Sequence, residues 1–297
     1  MFVGGIALAA CVALVVWRER YLRAVTAESA RRRPLDANGI VRGGDGFVLN
    51  RAGAPAILLL HGAGDTPQTF RYLASALHDR GFHVVAPLLP GHGRTIQDFS
   101  TVTADALTAG ARTAYQELRD TRDWVGLIGL SMGGALAVQL AANNPDLPAL
   151  GLLAPYLAMP RRIERFARLA WLWGVILPVV RSGDGISVLD PEERERNLAY
   201  GVFTASALRA LRTTMRRAVD ALPAVTAPTI VVQSRSDNRI SVADAEHAFA
   251  LLGASDKHLE WITGAAHVIT VDYGRDRVEA VLAAWMEQRA PGGALSH

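Results

Sequence analysis

The segment Gly129-Leu130-Ser131-Met132-Gly133 carries the strongest chemical signal in this chain. The apolar stretch 124–130 predicts a buried strand, and the Ala- and Leu-rich stretch 131–143 predicts a helix. A G-x-S-x-G turn between a strand and a helix is sharp, and it presents the serine at the helix N-terminus, whose positive end favours developing negative charge. Ser131 is therefore the predicted nucleophile, with an ordinary glycine-rich turn as the alternative.

A serine hydroxyl needs a base to take its proton, and the base needs an acid to fix its tautomer and to stabilise its charged form. His267 is the candidate base, because it follows the last predicted strand in Gly264-Ala265-Ala266-His267. Asp237 is the candidate acid, because it follows the predicted strand 229–232. The three residue types together predict nucleophilic acyl transfer.

Two other carboxylates compete with Asp237. Asp244 lies in the next predicted helix and is a weaker rival. Asp220 precedes the strand and would lie at its wrong end. Asp237 itself has an alternative role as a helix cap near Ser241.

A tetrahedral intermediate needs two backbone donors for its oxyanion. The Met132 N–H, immediately after the nucleophile, is one candidate. The other comes from the turn His61-Gly62-Ala63-Gly64, and we expect it to be the Ala63 N–H. His61 and His92 are expected to hold loops by hydrogen bonds. Phosphate binding by this turn is disfavoured because no Lys-Ser/Thr pair follows it.

The elements around these residues alternate between short apolar strands and helices, which predicts an α/β fold with a mostly parallel sheet covered on both faces. The alternation stops after residue 154, and 155–225 shows no strand pattern, so we expect a helical cap. Asp190 followed by Pro191 predicts one helix start within it. The predicted units are the first core part at 46–154, the cap at 155–225, the second core part at 226–290 and a tail at 291–297.

The chain from about Ala56 to Trp285 resembles the α/β-hydrolase superfamily. Within that superfamily it resembles the monoacylglycerol lipase and bacterial carboxylesterase branch. The matching stretches are His61-Gly62-Ala63-Gly64, Pro90-Gly91-His92-Gly93, Gly129-Leu130-Ser131-Met132-Gly133-Gly134 and Ala266-His267-Val268-Ile269-Thr270, the last followed by Asp272. The chain order Ser, Asp, His is that of this fold. The resemblance implies an acyl-enzyme mechanism, no cofactor, and a cap over the acyl pocket. Arg235 and Asn238 flank the acid where the family often has smaller or apolar residues.

Residues 2–17 carry no charge, and Arg18, Arg20 and Arg23 follow them. As a helix this stretch is about 24 Å long, against a bilayer core of about 30 Å. We predict a single membrane anchor in segment 1–20, an Arg-rich linker at 21–45, and a catalytic domain on the cytoplasmic side because the arginines follow the segment. A cleaved or lipidated export signal, with Leu8-Ala9-Ala10-Cys11 as its cleavage box, and an apolar helix of a soluble protein stay open.

Composition narrows the function further. The 297 residues have a net charge of +3, and no basic face interleaved with aromatics stands out, so nucleic-acid binding is not expected. One cysteine excludes an internal disulfide and a Cys-ligated zinc site. Together with the resemblance, which implies that no cofactor is needed, this predicts a carboxylic ester hydrolase without a metal site, acting on small esters with an apolar acyl chain. Thioesterase, acyltransferase and perhydrolase activities, or an inactive binding protein, are the alternatives. Part of an acyl-binding face is expected among the cap residues Phe166, Leu169, Trp171, Leu172, Trp173 and Val175.

Overall fold

A seven-stranded sheet lies at the centre of the computed structural model, which describes residues 2–182 and 186–292, with only the backbone for 2–8 and 10. The strands are β1 (Phe47–Leu49), β2 (Ala56–Leu60), β3 (His83–Ala86), β4 (Val125–Leu130), β5 (Leu150–Leu153), β6 (Val179–Arg181), β7 (Val202–Thr204), β8 (Thr229–Ser234) and β9 (Lys257–Ile262). The spatial order in the seven-stranded sheet is β1-β3-β2-β4-β5-β8-β9, and all neighbours are parallel except β1 and β3.

Helices cover both faces of the sheet, as the alternating pattern predicts. The helices are α1 (Phe2–Arg32), α2 (Arg71–Asp79), α3 (Ile96–Ser100), α4 (Ala104–Arg119), α5 (Met132–Asn143), α6 (Arg161–Arg168), α7 (Ala170–Ile176), α8 (Pro191–Arg196), α9 (Ala205–Ala221), α10 (Val242–Leu251) and α11 (Arg275–Glu287). Short 3-10 helices occupy Pro67–Phe70 and Leu222–Ala224.

The central strands are buried on both sides, which is why they read as continuous apolar runs rather than as alternating ones. In β2, Leu58 and Leu60 pack in one core with residues of α4, α5 and α10. Ile57 and Leu59 point to the opposite core, which contains residues of α2 and α11. Because β4, β8 and β9 are parallel, the loops after them meet at one edge of the sheet, where the candidate site lies.

The cap between β5 and β8 was predicted to be helical throughout. It also contains a two-stranded antiparallel pair, β6 with β7. Each of these strands has three residues, too short for an alternating pattern to be recognised in the sequence. The predicted helix start is present, since the Asp190 side chain accepts hydrogen bonds from the N–H groups of Glu192 and Glu193 at the start of α8. Helix α9 packs against α4 and α5, and so attaches the cap to the core.

Helix α1 runs without a break to Arg32, although the Arg-rich linker was predicted to begin at residue 21. Ala, Arg, Glu and Leu are good helix formers, so the segment after residue 21 is helical even though its many charged residues are also typical of a linker. The second half of α1 packs on the protein, where Val25 is buried and Glu28 pairs with Arg181 of the cap at 3.0 Å. Just beyond it, the Arg33 guanidinium donates to the carbonyl oxygens of Ala199 and Tyr200. Residues 293–297 of the predicted tail lie outside the described residues.

Within the described part of the chain, none of the helices combines the length and the apolar character that a membrane crossing requires. The predicted anchor at residues 2–17 is therefore wrong, and the membrane location and cytoplasmic orientation that depended on it lose their support. The physical reason is length. Arg18, Glu19 and Arg20 end the apolar run after about 24 Å, and a bilayer core is about 30 Å thick.

The packing of α1 predicts that its two halves tolerate deletion differently. Deleting residues 1–17 should leave the melting midpoint nearly unchanged, because Val12, Val15 and Val16 are exposed. Deleting residues 1–33 should lower it by roughly 3 °C or more, since losing buried Val25 alone costs about 1.5–3 kcal/mol and each kcal/mol corresponds to about 2–4 °C. Thermal unfolding of the two truncated proteins checks this, and equal midpoints would contradict the packing.

Candidate active site

The turn at Ser131 is strained and tightly enclosed. Ser131 has φ 54° and ψ −116°, which non-glycine residues rarely adopt. Its N–H donates to the carbonyl oxygen of Leu153 at 2.9 Å. A Cβ at Gly133 would overlap the carbonyl oxygen of Leu60, and one at Gly129 would overlap the backbone of Gly133. Glycine at both positions lets the turn pass against β2 and hold the serine at the edge of the sheet.

The structure brings Ser131, His267 and Asp237 together in one hydrogen-bonded series. The Nε2 atom of His267 lies 2.8 Å from Ser131 Oγ, and its Nδ1 atom lies 2.9 Å from Oδ2 and 3.1 Å from Oδ1 of Asp237. A carboxylate only accepts hydrogen bonds, so Nδ1 carries the proton. In the neutral imidazole, Nε2 is then the acceptor and can take the proton of the Ser131 hydroxyl.

Asp237 receives further donors that keep it ionised. Its Oδ1 accepts from the N–H groups of Arg239 at 2.7 Å and Ile240 at 3.1 Å, and its Oδ2 accepts from Gln233 Nε2 at 2.7 Å. Burial by itself raises the pKa of Asp237, but the hydrogen bond and attraction from His267, together with the two backbone donors, outweigh it and leave that pKa below its usual value. Asp237 can therefore hold the histidine tautomer and stabilise an imidazolium.

The rival carboxylates lie elsewhere. Asp244 is exposed in the first turn of α10, where its Oδ2 lies 2.6 Å from Ser241 Oγ. Ser241 itself caps α10 by accepting from the Asp244 N–H, so Asp237 is not the cap. Asp220 is exposed near the end of α9. Neither rival has a hydrogen bond to His267 among the described residues.

The turn proposed for the second oxyanion donor lies directly beside the nucleophile. A Cβ on Gly62 would be 3.4 Å from the Ser131 Cβ. His61 Nε2 accepts from the Leu89 N–H at 3.0 Å, so His61 Nδ1 carries the proton and donates to the Gly62 carbonyl oxygen at 2.9 Å. In a trans peptide the N–H points opposite to the carbonyl, so this bond fixes the direction of the Ala63 N–H. Met132 is the first residue of α5, and its N–H is one of the unpaired donors of that helix end.

Three groups around this turn have strongly shifted pKa values. Burial, with a smaller effect from His92, lowers the pKa of His61 to about 3. Burial also lowers the pKa of His92 to about 4, against the effect of its hydrogen bond to the Pro90 carbonyl oxygen. Burial raises the pKa of Asp65 to about 7, although the Thr66 N–H and Arg71 oppose it. Both histidines are therefore neutral at pH 7, and they act as hydrogen-bonding scaffolds as the sequence predicts.

A cavity of about 460 Å³ opens above Ser131 and His267. One wall is apolar and comes from the cap, with Ile163 and Phe166 on α6, Phe203 on β7, and Leu208 and Leu211 on α9. Of the six cap residues expected to form an acyl-binding face, this lining includes Phe166, whereas Leu169, Trp171, Leu172 and Val175 are exposed at the surface. The volume is within the usual range for small-molecule sites, about 300–1,000 Å³.

The sequence analysis did not identify several polar residues of this cavity. Tyr156 stands edge-on to the His267 ring, with ring centres 6.4 Å apart, and burial raises its pKa to about 12. Asp65 and Arg239 also line the cavity. Asp65 follows the oxyanion turn directly, which is a signal that could have found it, but no motif marks Tyr156. Across residues 2–182 and 186–292, no group of three His, Cys, Asp or Glu side chains could hold a metal.

Comparisons with known proteins show which family the chain belongs to. The serine aminopeptidase S33 family matches residues 53–273 of the chain. The chain is 26% identical over 226 residues to a thermostable monoacylglycerol lipase of Bacillus sp. (strain H-257), which covers 76% of this chain and 88% of that enzyme. It is 26% identical over 243 residues to a carboxylesterase of Bacillus subtilis (strain 168), with 80% and 94% covered. A solved structure from work on the metagenome-derived lipolytic enzymes LipS and LipT superposes with a TM-score of 0.77 at 26% identity, covering 84% of this chain and 99% of that one.

The two candidate acids can be separated by matched substitutions. Asp237→Asn should lower kcat for ester hydrolysis by up to about 10⁴-fold, because the amide no longer holds the histidine tautomer. Asp244→Asn, the same change on the exposed carboxylate seven residues further on, should leave kcat near that of the unaltered protein. A large loss in Asp244→Asn with little loss in Asp237→Asn would show that the acid is misassigned.

The buried neutral histidines predict a stability loss in acid. In the unfolded chain His92 becomes protonated below about pH 6.5, whereas in the folded chain it does so only near pH 4. The unfolded state therefore binds more protons between these values, and the free energy of unfolding decreases as the pH falls from about 6.5 to about 4. Asp65 has the opposite effect. Because its pKa is raised to about 7 in the folded chain, the folded state holds this proton more tightly than the unfolded state, and the resulting stabilisation is lost as the pH rises towards 7.

Replacing His92 with Asn, which keeps a donor for Pro90, should therefore make the free energy of unfolding decline less steeply between about pH 6.5 and 4. Urea unfolding at several pH values measures this slope. His247→Asn, at an exposed histidine of α10, is the matched control. Equal slopes for His92→Asn and the unaltered protein would rule out the expected titration of His92.

Proposed function

The chain belongs to the serine aminopeptidase S33 family, and we propose that Ser131, His267 and Asp237 are the residues with which it hydrolyses carboxylic esters. It is an ester-cleaving serine hydrolase of the α/β-hydrolase fold, which confirms the fold class, the enzyme class and the resemblance predicted from the sequence. The assignment of the three residues rests on one observation above all, the hydrogen-bonded series Ser131–His267–Asp237, of which Ser131 and His267 line the cavity.

In the first half of the reaction, Ser131 Oγ attacks the acyl carbonyl carbon while its proton passes to His267 Nε2. Asp237 stabilises the resulting imidazolium through its bonds to Nδ1. The negative charge on the former carbonyl oxygen is bound by the N–H groups of Ala63 and Met132. His267 then gives the proton to the leaving alcohol, and the acyl group stays on Ser131.

In the second half, a water molecule takes the place of the alcohol. His267 Nε2 removes a proton from it as the oxygen attacks the acyl carbon, and the same two N–H groups bind the second oxyanion. Collapse of this intermediate returns the proton to Ser131 and releases the carboxylic acid. Every proton in the cycle is carried by His267, so the reaction needs no group beyond these side chains, the two backbone donors and water.

The cavity supports esters with a single medium-length acyl chain. Its apolar wall of Ile163, Phe166, Phe203, Leu208 and Leu211 lies on the cap side of Ser131. Each buried methylene contributes about 0.8 kcal/mol, or about fourfold in affinity. This gain raises kcat/KM only where the transition state also benefits from it. A cavity of about 460 Å³ has room for one such chain rather than for three.

The assignment of the nucleophile predicts covalent labelling at one serine. A fluorophosphonate probe should react with the protein, and Ser131→Ala should abolish the reaction because the probe needs the activated hydroxyl. Gel fluorescence after labelling measures this. Ser100→Ala, at an exposed serine of α3, is the control and should remain labelled. Persistent labelling of Ser131→Ala would remove Ser131 as nucleophile.

The shape of the cavity predicts the preferred acyl length. For p-nitrophenyl esters from acetate to palmitate, kcat/KM should be highest at roughly six to twelve acyl carbons, since several methylenes can be buried. A value that is highest for acetate and falls steadily with length would contradict an apolar acyl site. Thioesters of the same acids are measured in the same series, and a higher kcat/KM for the thioesters than for the esters would indicate a thioesterase instead.

A wall variant ties the preference to the cavity. Leu208→Ala should lower kcat/KM for octanoate by about fourfold for each methylene that loses its contact, with little effect on acetate. Leu172→Ala is the matched control, because Leu172 is an exposed leucine of the cap at α7. Equal effects of the two variants on octanoate would show that this wall does not bind the acyl chain.

A further inference from the structure

We propose that Asp272 is a positioning residue for the catalytic base, which fastens the His267 loop to cap residues 187–190. This proposal rests on the proposed function, because it concerns how His267 is held. The sequence placed Asp272 at the end of the His267 motif, and the mechanism described above gives it no role.

The carboxylate of Asp272 is fully buried and lies at the junction of three chain segments. Its Oδ2 accepts from the N–H of Ala266, immediately before His267, at 2.7 Å and from the N–H of Leu189 in the cap at 2.9 Å. Its Oδ1 accepts from Asp190 of the cap and from Tyr273, each at 2.9 Å. One side chain therefore ties the histidine loop to Leu189 and Asp190 of the cap.

A second bond between the same segments lies on the other side of the histidine. The N–H of Val268 donates to the carbonyl oxygen of Ser187 at 2.9 Å. The peptide groups 265–266 and 267–268, on either side of His267, are thus both held by hydrogen bonds, one to Asp272 and one to the cap. Because the Nε2–Oγ distance depends on the backbone from which the imidazole projects, these bonds support the geometry of proton transfer.

The chemistry of this site requires a carboxylate. All four groups that face Asp272 are backbone N–H donors, and an ionised carboxylate accepts at both oxygens and donates at neither. An amide in its place would turn an NH₂ group towards two of these donors. The isosteric change Asp272→Asn therefore disturbs the junction with almost no change in volume.

The cap end of this junction is itself fixed to the core. Glu193, a buried carboxylate of α8, pairs with Arg71, accepts from Tyr72 Oη at 2.8 Å, and pairs with Arg196 at 3.0 Å. Helix α8 is therefore anchored at Glu193 and, three residues earlier, through Asp190 at Asp272. Only the second anchor includes the histidine loop, so Glu193 provides a control that matches Asp272 in charge, burial and cap attachment.

The experiment compares Asp272→Asn with Glu193→Gln in the full-length protein. Fluorophosphonate labelling yields two quantities, since the end point counts competent molecules and the rate constant reports how well the nucleophile and base are aligned. We expect Asp272→Asn to lower the rate constant and kcat by about 10- to 100-fold, as a displacement of about 1 Å can do. Its KM should stay within about twofold, because the apolar wall is untouched. Glu193→Gln should lower the melting midpoint but keep the rate constant.

The proposal is overturned if Asp272→Asn keeps the unaltered rate constant and kcat, and loses only stability or end point as Glu193→Gln does. Should Asp272→Asn fail to fold, Asp272→Ser is measured in the same way, because serine is smaller than aspartate and keeps one acceptor oxygen. If both fail to fold while Glu193→Gln folds, Asp272 serves the stability of the fold and the positioning role is rejected. Failure of the proposed function would appear separately, as absent labelling of the unaltered protein.

Discussion

The hydrogen bond between Ser131 Oγ and His267 Nε2 is the interaction on which the rest of the structure depends. It joins residues 136 positions apart in the chain, at 2.8 Å. The parallel sheet brings the loops after β4, β8 and β9 to one edge, and the strained turn at Ser131 raises the hydroxyl above that edge. The fold thus concentrates its strain and its closest backbone contacts where a distance error of a fraction of an ångström matters most.

The residues of the candidate site could be predicted from local signals because the sheet is parallel. Ser131, Asp237 and His267 each follow a predicted strand, and the carboxyl ends of parallel strands meet at the same edge. The same argument placed Asp220 at the wrong end of its strand. The turn at 61–64 was singled out from Gly62 and its neighbours, and its role in binding an oxyanion stays a prediction. Continuous apolar runs also located the central strands, since strands buried on both faces are apolar throughout.

What the sequence could not predict depends on contacts between distant segments. The first half of α1 has the apolar composition of an anchor, and only its length argues against one. The 21–32 segment is helical and fixed by contacts such as Glu28 with Arg181, which no local pattern records. The β6–β7 pair is too short to leave a signal. The bonds of Asp272 join residues 189 and 266, so its surroundings become visible only once the cap is folded onto the core.

Burial has opposite consequences for the charged and the neutral groups of this site, and the difference suits the chemistry. It keeps His61 and His92 neutral, so they orient backbone amides without placing a cation near the oxyanion turn. Asp237 keeps its charge because four donors compensate for its burial. In the proposed mechanism, fixed backbone dipoles face the oxygen that becomes negative, and the Asp237 carboxylate faces the imidazole that becomes positive. Dipoles stabilise charge most strongly when water is excluded, and the cap that lines the cavity also contains segment 187–190, which is hydrogen-bonded to the His267 loop. Closure of the site and alignment of its base are therefore built from the same part of the chain.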